Sequence, residues 1–120
     1  MRKKTLVLGA SLKPHKYSNF AIRRLVNKNH EVVAVGLREG EVGHVKIETG
    51  KPYLEKVDTV TLYINQKRQI EYYEYIISLN PKRVIFNPGS ENMEFVEMLR
   101  LNNIETEISC TLVLLTTNQY

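Results

Sequence analysis

Tryptophan is absent from this chain, cysteine occurs once, and its 120 residues include only four prolines and six glycines. Each shortage excludes something. A single cysteine, Cys110, permits neither an intrachain disulfide nor a cysteine-rich metal site, and it fits a reducing cytoplasm. No apolar run approaches the roughly 18 residues that would span a bilayer, so no membrane segment is expected. The basic start ahead of "TLVLGAS" has the outline of a signal peptide. Its apolar stretch is too short for one and runs into Lys13, so it reads as a first strand. The three histidines, His15, His30 and His44, lack metal-like spacing, and no metal site is expected. A G-x-S-x-G elbow, a P-loop and paired catalytic carboxylates are also missing, so no catalytic residue is assigned.

What is present describes one ordinary domain over residues 1–120, with 42% hydrophobic and 25% charged residues. There is no internal repeat and no linker. The net charge of +4 favours an anionic ligand. No nucleic-acid recognition motif or basic-aromatic interleaving accompanies it, so the expected partner is a nucleotide cofactor rather than nucleic acid.

Strand and helix signals alternate along the chain. Thr5 to Leu8 reads as a strand ending at Gly9, and a helix capped by Ser18 or Asn19 follows, with Ala21, Ile22, Leu25 and Val26 facing inward. Glu31 to Val35 is a second strand, and a glycine-bearing connection with room for one short extra strand leads on from it. "DTVTLYI" is a third strand. Asn65 then caps a helix with Ile70, Tyr73, Ile76 and Ile77 inward, which ends at Asn80-Pro81. "RVIFN" is a fourth strand, followed by a helix capped by Ser90 with Glu91 and Glu94 near its positive end. "IETEIS" is a fifth strand, before a short tail element.

Such alternation implies parallel βαβ units, hence an α/β Rossmann-like fold in three layers with a five-stranded parallel sheet. The near-continuous apolar runs of the first, second and fourth strands suit positions covered on both faces. "TVTLYI" and "IETEIS" alternate apolar with polar, which suits edges. The expected order is therefore 3-2-1-4-5, with the switch point between strands one and four.

Ligands of open parallel sheets bind beyond the carboxyl ends of the strands, near that switch point. The first loop offers Gly9, Ala10, Ser11, Lys13, Pro14, Lys16, Tyr17 and Ser18. Gly9 admits close backbone approach, Ser11 supplies a hydroxyl, Pro14 stiffens the loop, and the lysines suit phosphate oxygens. The fourth-strand loop brings Asn87, Pro88 and Gly89 beside a second helix N-terminus. Ile64 and Asn65 end the third strand. At the end of the second, Gly36, Leu37 and Arg38 stand where an NAD site usually places an acid, with Glu39 a little late. An arginine there suits a phosphorylated ribose, as in coenzyme A or NADP. An acid pair of the receiver type is missing, since Gly9 and Asn65 stand where it is needed. Cys110, just past the fifth strand, is either a buried inert thiol or, if it opens a short helix, a reactive one.

"VLGASLKPHKYSNFAIRRLVNKNHEVVAVG", with "DTVTLYI", "NPGSEN" and the final "SC…Y", resembles the small stand-alone CoA-binding proteins. These are relatives of the CoA-binding domain of succinyl-CoA synthetase. Gly9, Ser11, Pro14, Tyr17 and Ser18 match the first motif, and Gly89 matches the fourth-strand loop. The chain departs from the pattern at Gly36-Leu37, where Asn-Pro is common, at Asn65, where an arginine is frequent, and at Ile108-Ser109, where Asp-Arg precedes the cysteine. The resemblance implies a Rossmann-like fold that binds coenzyme A or an acyl-CoA, with the pyrophosphate over Gly9-Ala10-Ser11 and the adenine end near strand two. It supplies no reaction, so a carrier, sensor or regulatory role is expected. The alternatives are an NAD(P)-binding redox enzyme or sensor, and a nonbinding interaction module that kept the fold. The tail "TLVLLTTNQY" can pack on its own sheet, on a second subunit in a homodimer, or on a partner protein.

Overall fold

Leu6, Val7 and Leu8 are each at most 1% exposed, because the strand that carries them is covered on both faces. This strand, β1 (Thr5–Ala10), lies near the middle of a seven-stranded sheet in a computed structural model that describes residues 2–120. The other strands are β2 (Val32–Gly36), β3 (Gly40–Val42), β4 (Val45–Glu48), β5 (Thr59–Leu62), β6 (Arg83–Phe86) and β7 (Glu105–Ile108). Their order is β3-β4-β2-β1-β5-β6-β7. Every neighbouring pair is parallel except the hairpin β3-β4.

Helices α1 (Tyr17–Asn27) and α5 (Thr111–Thr116) contribute Ile22, Leu25 and Leu115 to a core on one face. On the other face, α3 (Tyr73–Leu79) and α4 (Met93–Leu101) bury Ile76, Phe95 and Leu99. The short α2 (Gln66–Gln69) leads into α3 through a 3-10 turn, Ile70–Tyr72. The result is a three-layer, mostly parallel α/β fold of Rossmann-like type.

The strand count and order differ from expectation. "DTVTLYI" forms β5, which is central between β1 and β6, and the glycine-bearing connection forms a complete hairpin that takes the far edge. The polar alternation that suggested an edge comes from Thr59 and Thr61, and both are fully buried. Their hydroxyls are satisfied inside the sheet layers. Thr59 Oγ1 donates to Asp58 and receives Arg83 Nε at 3.3 Å, while Thr61 Oγ1 lies 2.8 Å from that of Thr111. A threonine can be buried where its hydroxyl has a hydrogen-bond partner. The topological switch consequently falls between β1 and β5 rather than beside β6. The expectation for β7 as an edge strand holds.

Local details also differ. Lys16 occupies the N-cap of α1 with no side-chain cap, and Ser18 and Asn19 lie inside the helix, buried. Asn92 rather than Ser90 caps α4, its side chain accepting the Phe95 N–H at 3.2 Å. Asn65 does cap α2, and Asn80 ends α3 in the left-handed conformation. Ile70 is 58% exposed, because the 3-10 turn interrupts the helical phase that would have turned it inward.

Candidate functional site

At the carboxyl ends of β1, β2, β5 and β6 lies a crevice of about 690 Å³. Gly9, Ala10 and Ser11 form its floor, the start of α1 one wall, and Leu37-Arg38 a second. Asn65 and Arg68 close the far side with Pro88, Gly89 and Ser90.

The floor depends on Gly9. Its φ is +99°, and a Cβ there would stand 2.8 Å from the carbonyl oxygen of Tyr63. Glycine is thus demanded by the neighbouring chain at the end of β5, whether or not a ligand approaches. The loop beyond is fastened from α1. Asn19 Nδ2 donates to the Ser11 carbonyl at 2.9 Å, and Arg23 Nη2 donates to the Pro14 carbonyl at 3.0 Å. Ser11 Oγ accepts the Lys13 N–H at 3.1 Å, which leaves its own hydrogen available.

The charge of the walls is one-sided. Lys13, Lys16, Arg38 and Arg68 line the crevice, and no aspartate or glutamate does among the described residues. The first three cations are exposed, whereas Arg68 is half-buried. Tyr17 and Leu37, 72% and 74% exposed, give the mouth apolar surface of the kind a planar base covers.

A buried polar scaffold sets the spacing of the walls. Gln69 is fully buried, and its amide nitrogen donates to the Ile64 carbonyl at 3.0 Å and the Ser90 carbonyl at 2.7 Å. Asn92 Nδ2 in turn donates to Gln69 Oε1 at 2.9 Å and to the Tyr73 hydroxyl at 2.7 Å. Asn87 performs the same service for β5 and α5. Its Nδ2 donates to Thr61 Oγ1 at 2.6 Å and the Leu62 carbonyl at 2.9 Å, and its Oδ1 accepts the Thr111 N–H at 2.8 Å.

Of the sixteen residues singled out from sequence, the crevice brings together all but Pro14, Gly36 and Asn87. Pro14 lies outside the walls, with its carbonyl turned to Arg23. Gly36 is the buried end of β2 against Ala10. Asn87 is 1% exposed, and its amide is spent on the scaffold. Leu12, Tyr63, Arg68 and Ser90 line the crevice without having been singled out. The signal for Arg68 was the Asn65 cap. Side chains in a helix lean toward its N-terminus, so a first-turn residue is carried back over the strand end.

Tyr63 has a buried hydroxyl with no hydrogen-bond partner, and burial pushes its pKa well above the usual tyrosine value. Cys110 is half-buried at the N-cap of α5 and outside the crevice walls. His15 and His44 are exposed and outside them too. His30 is structural. Its Nδ1 accepts the Lys3 N–H at 2.9 Å, its ring packs edge-on against Tyr120, and burial lowers its pKa. No helix of the described residues is long and apolar enough to cross a membrane.

Fold and crevice together define a doubly wound α/β domain with a cation-lined crevice at its topological switch point. Residues 3–116 match the family described as the CoA binding domain, and the chain belongs to that family. None of the curated proteins matches it. Among solved structures, an uncharacterized protein is 49% identical with a TM-score of 0.97, over 100% of this chain and 99% of that one. A Thermus thermophilus protein, 19% identical, superposes with a TM-score of 0.88 over 99% of this chain and 91% of its own. A conserved hypothetical protein from Pyrococcus furiosus is 27% identical with a TM-score of 0.76, over 89% and 92% of the two chains.

Proposed function

We propose that this chain binds coenzyme A or an acyl-CoA through its pyrophosphate and ribose phosphate, in a carrier, sensor or regulatory role without catalysis of its own. The observation that carries the proposal is the crevice above Gly9, with four cations and no carboxylate in its described walls. The pyrophosphate lies over Gly9, Ala10 and Ser11, within reach of Lys13, Lys16 and the N–H groups that open α1. Arg38, at the end of β2, takes the ribose phosphate, and the adenine lies against Leu37. Backbone, small hydroxyls and cations are the means of holding an anion rather than of moving a proton, which supports binding over turnover.

Thermal-shift measurements with CoA, 3′-dephospho-CoA, NAD, NADP and ATP test the proposal. CoA is expected to raise Tm, and the absence of any shift at millimolar CoA would overturn it. Arg38 also suits the 2′-phosphate of NADP, so a shift with NADP alone would favour a redox cofactor site. No shift with any nucleotide would favour an interaction module that kept the fold.

A further inference from the structure

Arg23 lies on α1, exposed and outside the crevice walls. It has no acid to pair with on its own helix, and no ion pair engages it among the described residues. Its guanidinium is nevertheless fixed at three points. Nε donates to Asn19 Oδ1 at 2.8 Å, Nη2 donates to the Pro14 carbonyl at 3.0 Å, and Cζ lies 4.7 Å from the centre of the Phe20 ring. The planar fork of arginine makes these contacts together, and the point charge of a lysine does not reproduce them.

Asn19 carries the brace further. It is 4% exposed in the first turns of a helix, where asparagine is a poor helix former. With its amide oxygen held by Arg23, its amide nitrogen is turned to the Ser11 carbonyl, to which it donates at 2.9 Å.

The loop between β1 and α1 is therefore pinned at Ser11 and at Pro14. Between these points Ser11 Oγ accepts the Lys13 N–H at 3.1 Å, and the Lys13 carbonyl accepts the Lys16 N–H at 3.0 Å. The carbonyls of Ser11, Lys13 and Pro14 are all engaged within the protein. A carbonyl free to swing into the crevice would set negative charge against an anion. What the pinned loop offers the crevice instead is Lys13, Lys16 and the Ser11 hydroxyl.

From this geometry we infer that Arg23 is a positioning residue for the anion site. It does not touch the ligand, and it sets affinity by holding the loop of Lys13 and Lys16 in its binding shape. The inference rests on the CoA reading above and adds to it a residue outside the crevice on which affinity depends.

Isothermal titration of the full chain, R23K and R23Q with CoA and 3′-dephospho-CoA tests it, with Tm and amide exchange recorded for each protein. R23K keeps the charge and loses the fork, so it separates bracing from long-range attraction. Both ligands are expected to bind R23K about tenfold more weakly, the scale of ordering two long side chains on binding. Tm should stay within about 3 °C of native, as for other surface substitutions. R23Q should lose at least as much affinity. The ratio of the two dissociation constants should keep its native value, because Arg38 reads the ribose phosphate. In ligand-free R23K the Lys13 and Lys16 amides are expected to exchange faster than in the native chain, with β1 unchanged.

Native affinity in R23K would overturn this inference and leave the CoA reading intact, since charge alone would then explain Arg23. A weaker R23K whose loop amides exchange at native rates would overturn it as well. So would unprotected Lys13 and Lys16 amides in the native chain, a measurement that needs no variant to fold. A native chain that binds neither ligand would overturn the CoA reading and this inference with it.

Discussion

Gly36 and Ala10 close the paired ends of β2 and β1 so tightly that a Cβ on Gly36 would stand 2.3 Å from the Ala10 carbonyl oxygen. That contact holds the Gly9–Ser11 floor against the Leu37-Arg38 wall. Gly36 thus shapes the crevice from behind, although it is not among the residues that line it.

Gly36→Ala is expected to push the two strand ends apart, because backbone cannot yield as a flexible side chain does. The cost should be about 1–3 kcal/mol of stability, read by urea denaturation. Nucleotide binding should weaken with it. Unchanged stability would mean that the strand ends separate freely.

Asn87→Leu keeps the size of the side chain and removes three hydrogen bonds from a site that is 1% exposed. The Leu62 carbonyl and the Thr111 N–H are left without this partner. A loss of about 2–4 kcal/mol is expected, and α5, which starts at Thr111, should show faster amide exchange than α1. A loss confined to ligand affinity, with stability intact, would instead make Asn87 a binding residue.

Arg38→Ala should weaken CoA more than 3′-dephospho-CoA, because only the first carries the phosphate that the guanidinium would meet. The two ligands should then bind alike, measured by titration calorimetry. If the native chain already binds them equally, Arg38 does not read a ribose phosphate.

Stability should fall at alkaline pH. Burial raises the pKa of Tyr75 from 10.0 to about 12, and that of Tyr63, Tyr73 and Tyr120 in the same direction. A raised folded-state pKa means that the folded chain holds protons the unfolded chain has released. The contribution is present in full below pH 10.0 and is lost as pH rises toward 12. Urea midpoints at pH 8, 10 and 11 should decline, and Tyr75→Phe should make the decline shallower, which separates its share from that of the lysines. An identical decline in the variant would assign the effect elsewhere.

Much of the chain could be read directly. The apolar runs of β1 and β6, the Asn65 cap, the helix stop at Asn80-Pro81 and the Gly9 loop are local features, and local sequence specifies them. The edge position of β7 also followed from its polar alternation. The same alternation misled in β5, because Thr59 and Thr61 find partners in Asp58, Arg83, Asn87 and Thr111. Three of those partners lie more than 20 residues away. Ser90 lost its expected capping role for a related reason. Its hydroxyl donates to the Asn87 carbonyl at 2.7 Å, so the cap falls to Asn92.

By itself the sequence determined that strands and helices alternate, that a glycine loop with cations follows the first strand, and that an arginine rather than an acid follows the second. These are matters of composition and short-range spacing, where each residue's preference acts on its own neighbourhood. Only the tertiary structure decided that β5 sits beside β1, that Gly9 and Gly36 are required by neighbouring backbone, and that Arg68 joins the crevice. Those outcomes depend on which distant strand supplies a hydrogen-bond partner or an opposing carbonyl. No periodicity within a single segment records that.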